Sequence, residues 1–517
     1  MAQTGLKADQ PHVRRLSRRD FFKASAAFAA ASAALAACGR EASQDGSLQL
    51  IADPSISAPS PIEAQAATAS SPTSAPAWLA ANRLMFGPRA GDVARIEKMG
   101  MDAFIEEQLA PEQLDDGDVT RRISQIDHLQ DTLTHSAAEL ASATKRDILL
   151  DLQQATLLRA VYSPRQLFEL TVDFWSNHFN IYFGKGTDAY LKPVDDREVI
   201  RPHALGKFRD LAGASAHSPA MLIFLDNQTN VKGKPNENYG RELMELHTVG
   251  VDGGYTQKDV QEVARAFTGW SVRAVKKDVP ADQQAQGAGE FLFRANQHDD
   301  DAKTVLGMQL PANGAQKDGE RVLDILAAHP SCATFISLKL ARRFVADDPP
   351  KDVVQLGAAA FTKSNGDLKA TLGAILHSDA FKQSLGQKMK RPFELVASAV
   401  RGVGAETDGG KSILYTMREM GQPLFLWDAP NGYPDVQGAW LGAGTLLARW
   451  NFGMSLARNA IKGTRVDREA MTSTEMTLQL LGAPLPKSTQ AVFQPFANDR
   501  LAYMALLINS PLFQVRG

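Results

Sequence analysis

Apolar residues recur at helical spacing along most of the chain from Trp78 onward. One short helix shows the pattern most clearly, and its apolar positions are Val260, Val263, Ala264 and Phe267. These positions fall on one face of a helix with 3.6 residues per turn. Thr256 predicts the N-cap of this helix, and Asp259, three residues later, predicts the reciprocal half of a capping box. The repeated pattern predicts a mainly α fold, formed by one large multi-helical domain.

A second helix precedes this one. Asn236 follows Pro235 and predicts an N-cap, and Gly250 fits the helix stop. Residues 236–270 therefore predict a helix, a tight turn and a second helix. The helical period is lost over residues 271–314, where residues 290–294 and 303–307 have the composition of short strands. This stretch predicts a small β-hairpin or covering loop near residues 290–307.

The N-terminus carries an export pattern. Arg18 and Arg19 stand before an apolar run, as in twin-arginine signals, and the run is too short to span a membrane stably. It ends in Leu35-Ala-Ala-Cys38, which is typical of a lipoprotein box with Cys38 as the acylated residue. We therefore expect export by the twin-arginine translocase and a lipid anchor. The alternative is a plain exported protein cleaved near Ala37.

The predicted organisation has three parts. Residues 1–37 form the twin-arginine lipoprotein signal peptide, residues 38–77 a disordered tether rich in Ser, Ala and Pro, and residues 78–517 the helical domain. The expected location is the periplasmic side of the cell envelope. Gly39 stands where an Asp commonly retains lipoproteins at the inner membrane, so the outer membrane is preferred.

Composition narrows the class of function. The formal net charge is -2 and no basic block stands out beyond the N-terminus, which argues against nucleic acid as a partner. The sequence has two cysteines, Cys38 and Cys332. If Cys38 carries the lipid, Cys332 has no cysteine to pair with, so no internal disulfide is expected. The common hydrolase, P-loop and dinucleotide-binding signatures are absent from the sequence.

Carboxylates and histidines remain as candidate chemistry. At about 100° per residue, Asn238, Glu242 and Glu245 lie within about 60° of one another on the first helix. The candidate catalytic residues, which also form a candidate divalent-metal site, are His178, Glu242, Glu245 and His298. The candidate cofactor-binding residues are Asn177, Asn238 and Asp299. Such ligands suit iron, manganese, zinc or calcium without choosing among them.

A purely structural interpretation competes with the site. Arg241 lies four residues from both Glu237 and Glu245, so a salt-bridged helix face explains these charges equally well. His247 in the last turn is favourable through the helix dipole alone. Cys332 stands in an apolar helical context, which indicates a buried, inert thiol.

Several segments together resemble a known family. They are residues 174–180, 219–227, 236–270, 298–307, 329–330, 340–345, 390–394, 431–434 and 440–441. In these segments the chain resembles the bacterial family called domain of unknown function 1800, from Trp78 almost to the end. The resemblance implies a largely helical exported protein and carries no settled activity. It also implies a second exported protein as a partner, from another family that resembles sulfatases and phosphatases.

Two functional hypotheses follow. The first is a metal- or cofactor-dependent envelope enzyme, and a pocket that joins His178, Glu242 and His298 would favour it. The second is a non-catalytic scaffold or binding lipoprotein that acts with an exported partner. Scattered, salt-bridged positions together with an exposed apolar patch would favour the second hypothesis.

Overall fold

The computed structural model describes residues 75–516, apart from the side chain of Asp127. The described residues fall into two units. The larger unit, the body, comprises residues 75–484 and 496–516, and Leu485–Pro495 belongs to the other unit. Arg18, Arg19, Cys38 and most of the predicted tether lie outside the described residues. The first described helix begins at Pro76.

Helices dominate the body, which confirms the mainly α prediction. In its first half they are α1 Pro76–Leu84, α2 Asp92–Met99, α3 Met101–Gln108, α4 Gly117–Ser124, α5 Asp127–Thr134, α6 Ala137–Leu140, α7 Lys145–Tyr162, α8 Gln166–His178, α9 Asp188–Asp195, α10 Arg201–His203, α11 Phe208–His217, α12 Pro219–Phe224, α13 Glu237–Glu242 and α14 Gln257–Ala266. Two π-helical segments, Asp196–Ile200 after α9 and Leu243–Thr248 after α13, interrupt the regular α geometry. Such segments occur often at functional sites.

The second half continues with α15 Lys317–Ala328, α16 Pro330–Phe344, α17 Lys351–Lys363, α18 Leu368–Leu376, α19 Asp379–Gln383, α20 Pro392–Gly402, α21 Lys411–Glu419, α22 Ala443–Ala457 and α23 Ser473–Leu481. Helix α24, Lys487–Phe493, lies in the smaller unit, and α25 Arg500–Asn509 and α26 Pro511–Gln514 complete the body. Within residues 75–516 none of the helices is both long and apolar enough to cross a bilayer.

The described strands form antiparallel pairs: β1 Trp270–Val272 with β2 Phe291–Phe293, β3 Lys303–Val305 with β4 Met308–Leu310, β5 Lys388–Met389 with β8 Val515–Arg516, and β6 Glu406–Thr407 with β7 Thr464–Arg465. The strands near residues 290–307 thus do not form a hairpin with each other. Leu306 and Gly307 both adopt positive φ and make the two-residue turn of the β3–β4 hairpin. The segment between β2 and β3 carries His298, whose side chain is buried in the body.

The predicted caps of the helix pair are present. The Asn236 side chain accepts a hydrogen bond from the backbone of Asn238, and Thr256 and Asp259 form a complete capping box. The buried face of α14 carries Val260, Val263 and Ala264 as predicted. The sequence pattern therefore placed both helix starts correctly.

A buried ionic cluster joins α8, α16 and α20. Glu394 accepts hydrogen bonds from Arg343 and from Arg516, the latter at 2.8 Å, while Asp173 accepts from Arg343 and Arg391. Burial alone would raise the pKa of Glu394, but the neighbouring guanidiniums outweigh it and hold that pKa well below its usual range. This cluster fixes the three helices that carry the site described next.

Candidate functional site

His178 ends α8 and is almost fully buried, at 2% exposure. Its Nε2 lies 3.0 Å from the backbone carbonyl oxygen of His247. That carbonyl belongs to the π-helical segment that follows α13. The last carbonyl groups of a helix have no backbone N–H partner within the helix and accept hydrogen bonds from other groups. Since a carbonyl oxygen only accepts, Nε2 carries the hydrogen. Nδ1 is then an acceptor, and it has no hydrogen-bond partner among the described residues.

Both imidazoles are held neutral. Burial, followed by the positive charge of Lys339, lowers the pKa of His178 well below its usual value. Burial and Lys339 likewise lower the pKa of His247 to about 3. The two rings lie 5.8 Å apart between centroids. At neutral pH this pair therefore offers lone pairs rather than positive charge.

His178 lines a cavity of about 180 Å³, here called the His178 cavity. Its walls come from α8, α16, the start of α20 and the loop before α22. The lining residues are Phe174, Asn177, His178, Lys339, Arg342, Arg391, Asn431, Tyr433, Pro434 and Asp435. The formally charged members are three cations and one carboxylate, so the wall is positive.

Two of the cations have no ion-pair partner among residues 75–516. Lys339 and Arg342 are half-buried and lie three residues apart on α16, which puts them on one face. No described residue forms a hydrogen bond or salt bridge with the Lys339 ammonium, and Arg342 donates only to the backbone oxygen of Asp347, at 3.0 Å. Burial lowers the pKa of Lys339 to about 8, with Asp435 acting against the shift and Arg342 adding to it.

Arg391 and Asp435 are compensated from outside the cavity. Arg391 pairs with Asp173 and Glu394, yet its Nε has no hydrogen-bond partner in the described part of the chain. Asp435 lies 3.3 Å from Lys388. Burial alone would raise the pKa of Asp435, but Lys388 and the nearby arginines lower it to about 2. The single carboxylate is therefore compensated by Lys388 and Arg343, and among the described residues it forms no salt bridge with Lys339 or Arg342.

The polar residues beside His178 brace a loop. The Asn177 amide donates to the carbonyl of Tyr433 at 2.9 Å and accepts from its backbone nitrogen at 2.7 Å. Asn180 donates to the carbonyls of Trp427 and Ala429. Asn177, a candidate cofactor-binding residue, therefore has its side-chain hydrogen bonds within the protein. It helps to build the cavity wall.

A smaller cavity of about 40 Å³ adjoins the first and shares Asn177 and Tyr433 with it. Its charged lining residues are Glu169, Asp173, Asp196 and Arg201. Arg201 binds both carboxylate oxygens of Glu169, at 3.0 and 2.5 Å. Asp173 is paired with Arg391, which lines the other cavity. Ion pairs thus satisfy Glu169 and Asp173, whereas the buried Asp196 forms no salt bridge with another described residue.

Glu242 and Glu245 lie close together, as the helical spacing predicts. Both are half-buried, and burial together with the charge of Glu245 raises the pKa of Glu242. The expected pair between Arg241 and Glu245 is not formed, because Arg241 donates to Glu237 and to Gln257 of the next helix. The exposed Asn238 donates to the backbone of Leu225.

His298 and Asp299 belong to a different network. His298 Nδ1 lies 2.7 Å from the carbonyl oxygen of Thr268, and Nε2 lies 3.3 Å from the carboxylate of Asp318. Lys303 donates to that same carboxylate at 2.7 Å. Asp299 receives two hydrogen bonds from Arg265, at 2.7 and 3.1 Å. These contacts hold the segment between β2 and β3 in the core.

The predicted site residues thus occupy three environments. His178 and Asn177 line one cavity, Glu242 and Glu245 share a helix face, and His298 and Asp299 lie in the Arg265–Asp318 network. Within residues 75–516 no three His, Cys, Asp or Glu side chains come together as a metal-binding group. The arrangement instead singles out Lys339 and Arg342, which the sequence reasoning missed. Their spacing on one helix face was visible, but a helix ending in basic residues is ordinary.

Comparison with known proteins places the chain in a family and no further. A family model described as "Protein of unknown function (DUF1800)" matches residues 79–515. No curated protein matches the chain. No solved structure matches it either.

Proposed function

The chain belongs to the DUF1800 family of proteins of unknown function, and we propose that it is an exported, lipid-anchored envelope enzyme that binds a small anionic substrate in the His178 cavity. One observation carries the proposal: Lys339 and Arg342 face one cavity, and neither has an ion-pair partner among residues 75–516. A half-buried cation without a counter-charge is costly, and a bound anion removes that cost.

The same cavity offers acid–base groups. With a pKa of about 8, the Lys339 amine exchanges a proton near neutral pH, as a general base or acid must. The neutral His178 ring presents an unpartnered Nδ1 as a second proton acceptor. An anionic substrate held by Arg342 would thus meet two groups able to take up a proton. The proposal assigns the chemistry to these side chains rather than to the metal site considered from the sequence.

Calorimetric titration of the purified full chain tests the binding step, with malonate and inorganic phosphate as probes. The expected result is binding that weakens by about thirtyfold or more in Lys339→Met and Arg342→Met, because each change removes a desolvated charge partner. Lys351→Met serves as the matched control, since Lys351 is an exposed lysine at the start of α17. Equal affinities in Lys339→Met and Lys351→Met, or no binding by the wild type, would contradict the proposal.

Export and anchoring are proposed from the N-terminal sequence. Replacing Arg18 and Arg19 together with lysine should trap the unprocessed precursor in the cytoplasm. Cys38→Ala should leave an exported but soluble protein, which fractionation and mass spectrometry of the N-terminus would detect. A Cys38→Ala protein that still sediments with membranes would argue against the lipid anchor.

A second candidate function is the binding of an exported partner at residues 436–448. This stretch contains no charged residue, and its exposed apolar side chains are Val436, Leu441, Leu446 and Leu447. Such exposure is typical of interaction surfaces. A photo-crosslinking amino acid at position 447 should give one discrete envelope adduct, and the same probe at the exposed Leu356 should give none. Identical products from both positions would remove this candidate.

A further inference from the structure

Several polar groups that line the His178 cavity have no hydrogen-bond partner among the described residues. Three of them are the Lys339 ammonium, Nδ1 of His178 and Nε of Arg391, while a further one, Oδ1 of Asp435, lies 3.3 Å from the Lys388 ammonium. Two of them belong to side chains that are more than nine-tenths buried, since His178 is 2% and Arg391 is 3% exposed. A buried donor or acceptor without a partner costs free energy, and a bound ligand with matching polar groups would recover that free energy. The three groups differ in chemistry and together restrict what that ligand is.

Two arginines, Arg342 and Arg391, provide the first restriction on the chemistry of the ligand. In the part of the chain that the structure describes, Arg342 forms no salt bridge and the Arg391 Nε–H has no acceptor. A guanidinium matches a carboxylate through parallel N–H donors. A carboxylate on the ligand would therefore be held beside Lys339, on the positive wall of the cavity.

The lysine provides the second restriction. Lys339 is half-buried, lies 5.6 Å from the centroid of the Phe335 ring and has Arg342 on the same helix face. A lysine becomes nucleophilic when it is desolvated or adjacent to another cation, and both conditions hold here. A pKa of about 8 gives at neutral pH a fraction of free amine about two orders of magnitude larger than that of an ordinary lysine.

We propose that the Nζ amine of Lys339 forms an imine with an oxo acid, a carbonyl compound whose carboxylate is held by Arg342 and Arg391. The inference rests on the proposed function, because it assigns the anion to a substrate class. The amine lone pair forms a bond to the carbonyl carbon, and the carbonyl electron pair moves to the oxygen, which takes up a proton. The nitrogen loses a proton to give the carbinolamine.

The second half of the step releases water. The nitrogen loses its remaining proton, the carbon–oxygen bond breaks, and the C=N bond forms as water leaves. One amine and one carbonyl compound thus give one imine and one water, with no oxidant or reductant. Nδ1 of His178 lines the same cavity as an unpartnered acceptor, so it takes the proton from nitrogen and returns it to the leaving hydroxyl.

Borohydride trapping tests the inference on the full chain. Pyruvate is the probe, and reduction of the imine fixes an adduct whose added mass equals pyruvic acid less one oxygen atom. Peptide mapping should find that Lys339 is labelled at least about tenfold faster than the exposed Lys351, because more of its amine is unprotonated. Acetone, which lacks the carboxylate, should label Lys339 at least about tenfold more slowly than pyruvate does.

The outcomes separate this inference from the proposed function. Labelling of Lys339 that is no faster than labelling of Lys351, in a protein that still binds malonate, overturns the imine and leaves the anion site intact. Failure of both malonate binding and labelling removes both. The comparison between two lysines of the wild-type protein needs no variant to fold.

Discussion

His178 donates its Nε2 hydrogen to the backbone carbonyl of His247, 3.0 Å away, and this contact orients the ring within the cavity wall. The bond fixes the tautomer and leaves Nδ1 as a free acceptor. It also couples α8 to the π-helical segment Leu243–Thr248. The geometry of the proposed site thus depends on where that irregular turn places one carbonyl group.

The buried imidazoles predict a loss of stability in acid. The folded-state pKa of His247 is about 3 and that of His178 is also depressed, so below about pH 6.5 the unfolded chain binds these protons first. Their contribution is present above that pH and is lost as the pH falls. Each histidine should cost about 1 to 1.5 kcal/mol of unfolding free energy between pH 7.5 and 5.5.

Urea unfolding of wild type, His178→Gln and His247→Gln at the two pH values measures this effect. Each substitution should reduce the difference between the two pH values by the contribution of one histidine, whatever it does to stability at pH 7.5. A difference that neither substitution alters would mean that the native protein protonates these rings without cost.

Asp188 predicts the opposite pH dependence of the unfolding free energy, namely a loss of stability as the pH rises. Both of its carboxylate oxygens are buried without hydrogen-bond partners in the described structure, and burial followed by Asp195 raises its pKa to about 9. The folded protein keeps a proton that the unfolded chain loses above about pH 4, so this contribution falls as the pH rises. Between pH 5 and pH 7 the unfolding free energy of the wild type should fall by about 2 to 3 kcal/mol relative to that of Asp188→Asn, which has no carboxyl group to titrate. The exposed Asp282→Asn is the control, and an equal difference from the wild type there would refute the assignment.

Glu394 should be among the residues whose loss destabilises the body most. Its carboxylate faces Arg343, Arg391 and Arg516, and its removal leaves these buried guanidiniums undercompensated. Glu394→Gln should lower the unfolding free energy by about 3 to 5 kcal/mol. Thermal and urea melts provide the measurement. Glu406→Gln breaks an exposed pair with Arg122 and should cost less than about 1 kcal/mol, so similar losses in the two variants would contradict this account.

Gly432 predicts a steric effect at the cavity wall. It adopts φ +70°, and an added Cβ would overlap the carbonyl oxygen of Asn177. Gly421 has φ +88° with open space around it, so Gly421→Ala introduces backbone strain alone. Gly432→Ala should be about 2 kcal/mol more destabilising than Gly421→Ala. Gly432→Ala should also weaken malonate binding. Equal unfolding free energies of the two variants would show that the cavity wall accommodates the added methyl group without cost.

The sequence predicted the helices well because helical periodicity and capping are local. Thr256 and Asp259 illustrate this, since their side chains bond to each other's backbone as their spacing requires. The small β excursion predicted near residues 290–307 is present, with the β3–β4 hairpin at its end, but the pairing of β2 with β1 could not be predicted because it joins residues about 20 positions apart. The His298 ring contacts the carboxylate of Asp318 on α15, and the residues around His298 in the sequence do not indicate that Asp318 is its partner. The Arg241–Glu245 pair failed for a related reason, since Gln257 of the next helix bonds to Arg241 and Glu245 lies in the π-helical segment.

The site could be predicted only in part. His178 and Asn177 were noticeable because polar residues rarely interrupt an aromatic cluster without a reason. Lys339 and Arg342 were not, because a basic helix end is usually solvated. Whether such a helix turns its cations towards a cavity depends on long-range contacts, such as the ion pairs that join Arg343 of α16 to Asp173 of α8 and Glu394 of α20.

Competitive acetylation measures directly whether the Lys339 amine lies free in an anion-binding cavity. The full chain is labelled with trace acetic anhydride from pH 6 to 11, and peptide mapping reports each lysine separately. We expect Lys339 to titrate near pH 8 and malonate to protect it from acetylation, while malonate leaves the labelling of Lys351 unchanged. If Lys339 instead titrates like Lys351 and gains no protection from malonate, the cavity holds neither a free amine nor an anion site.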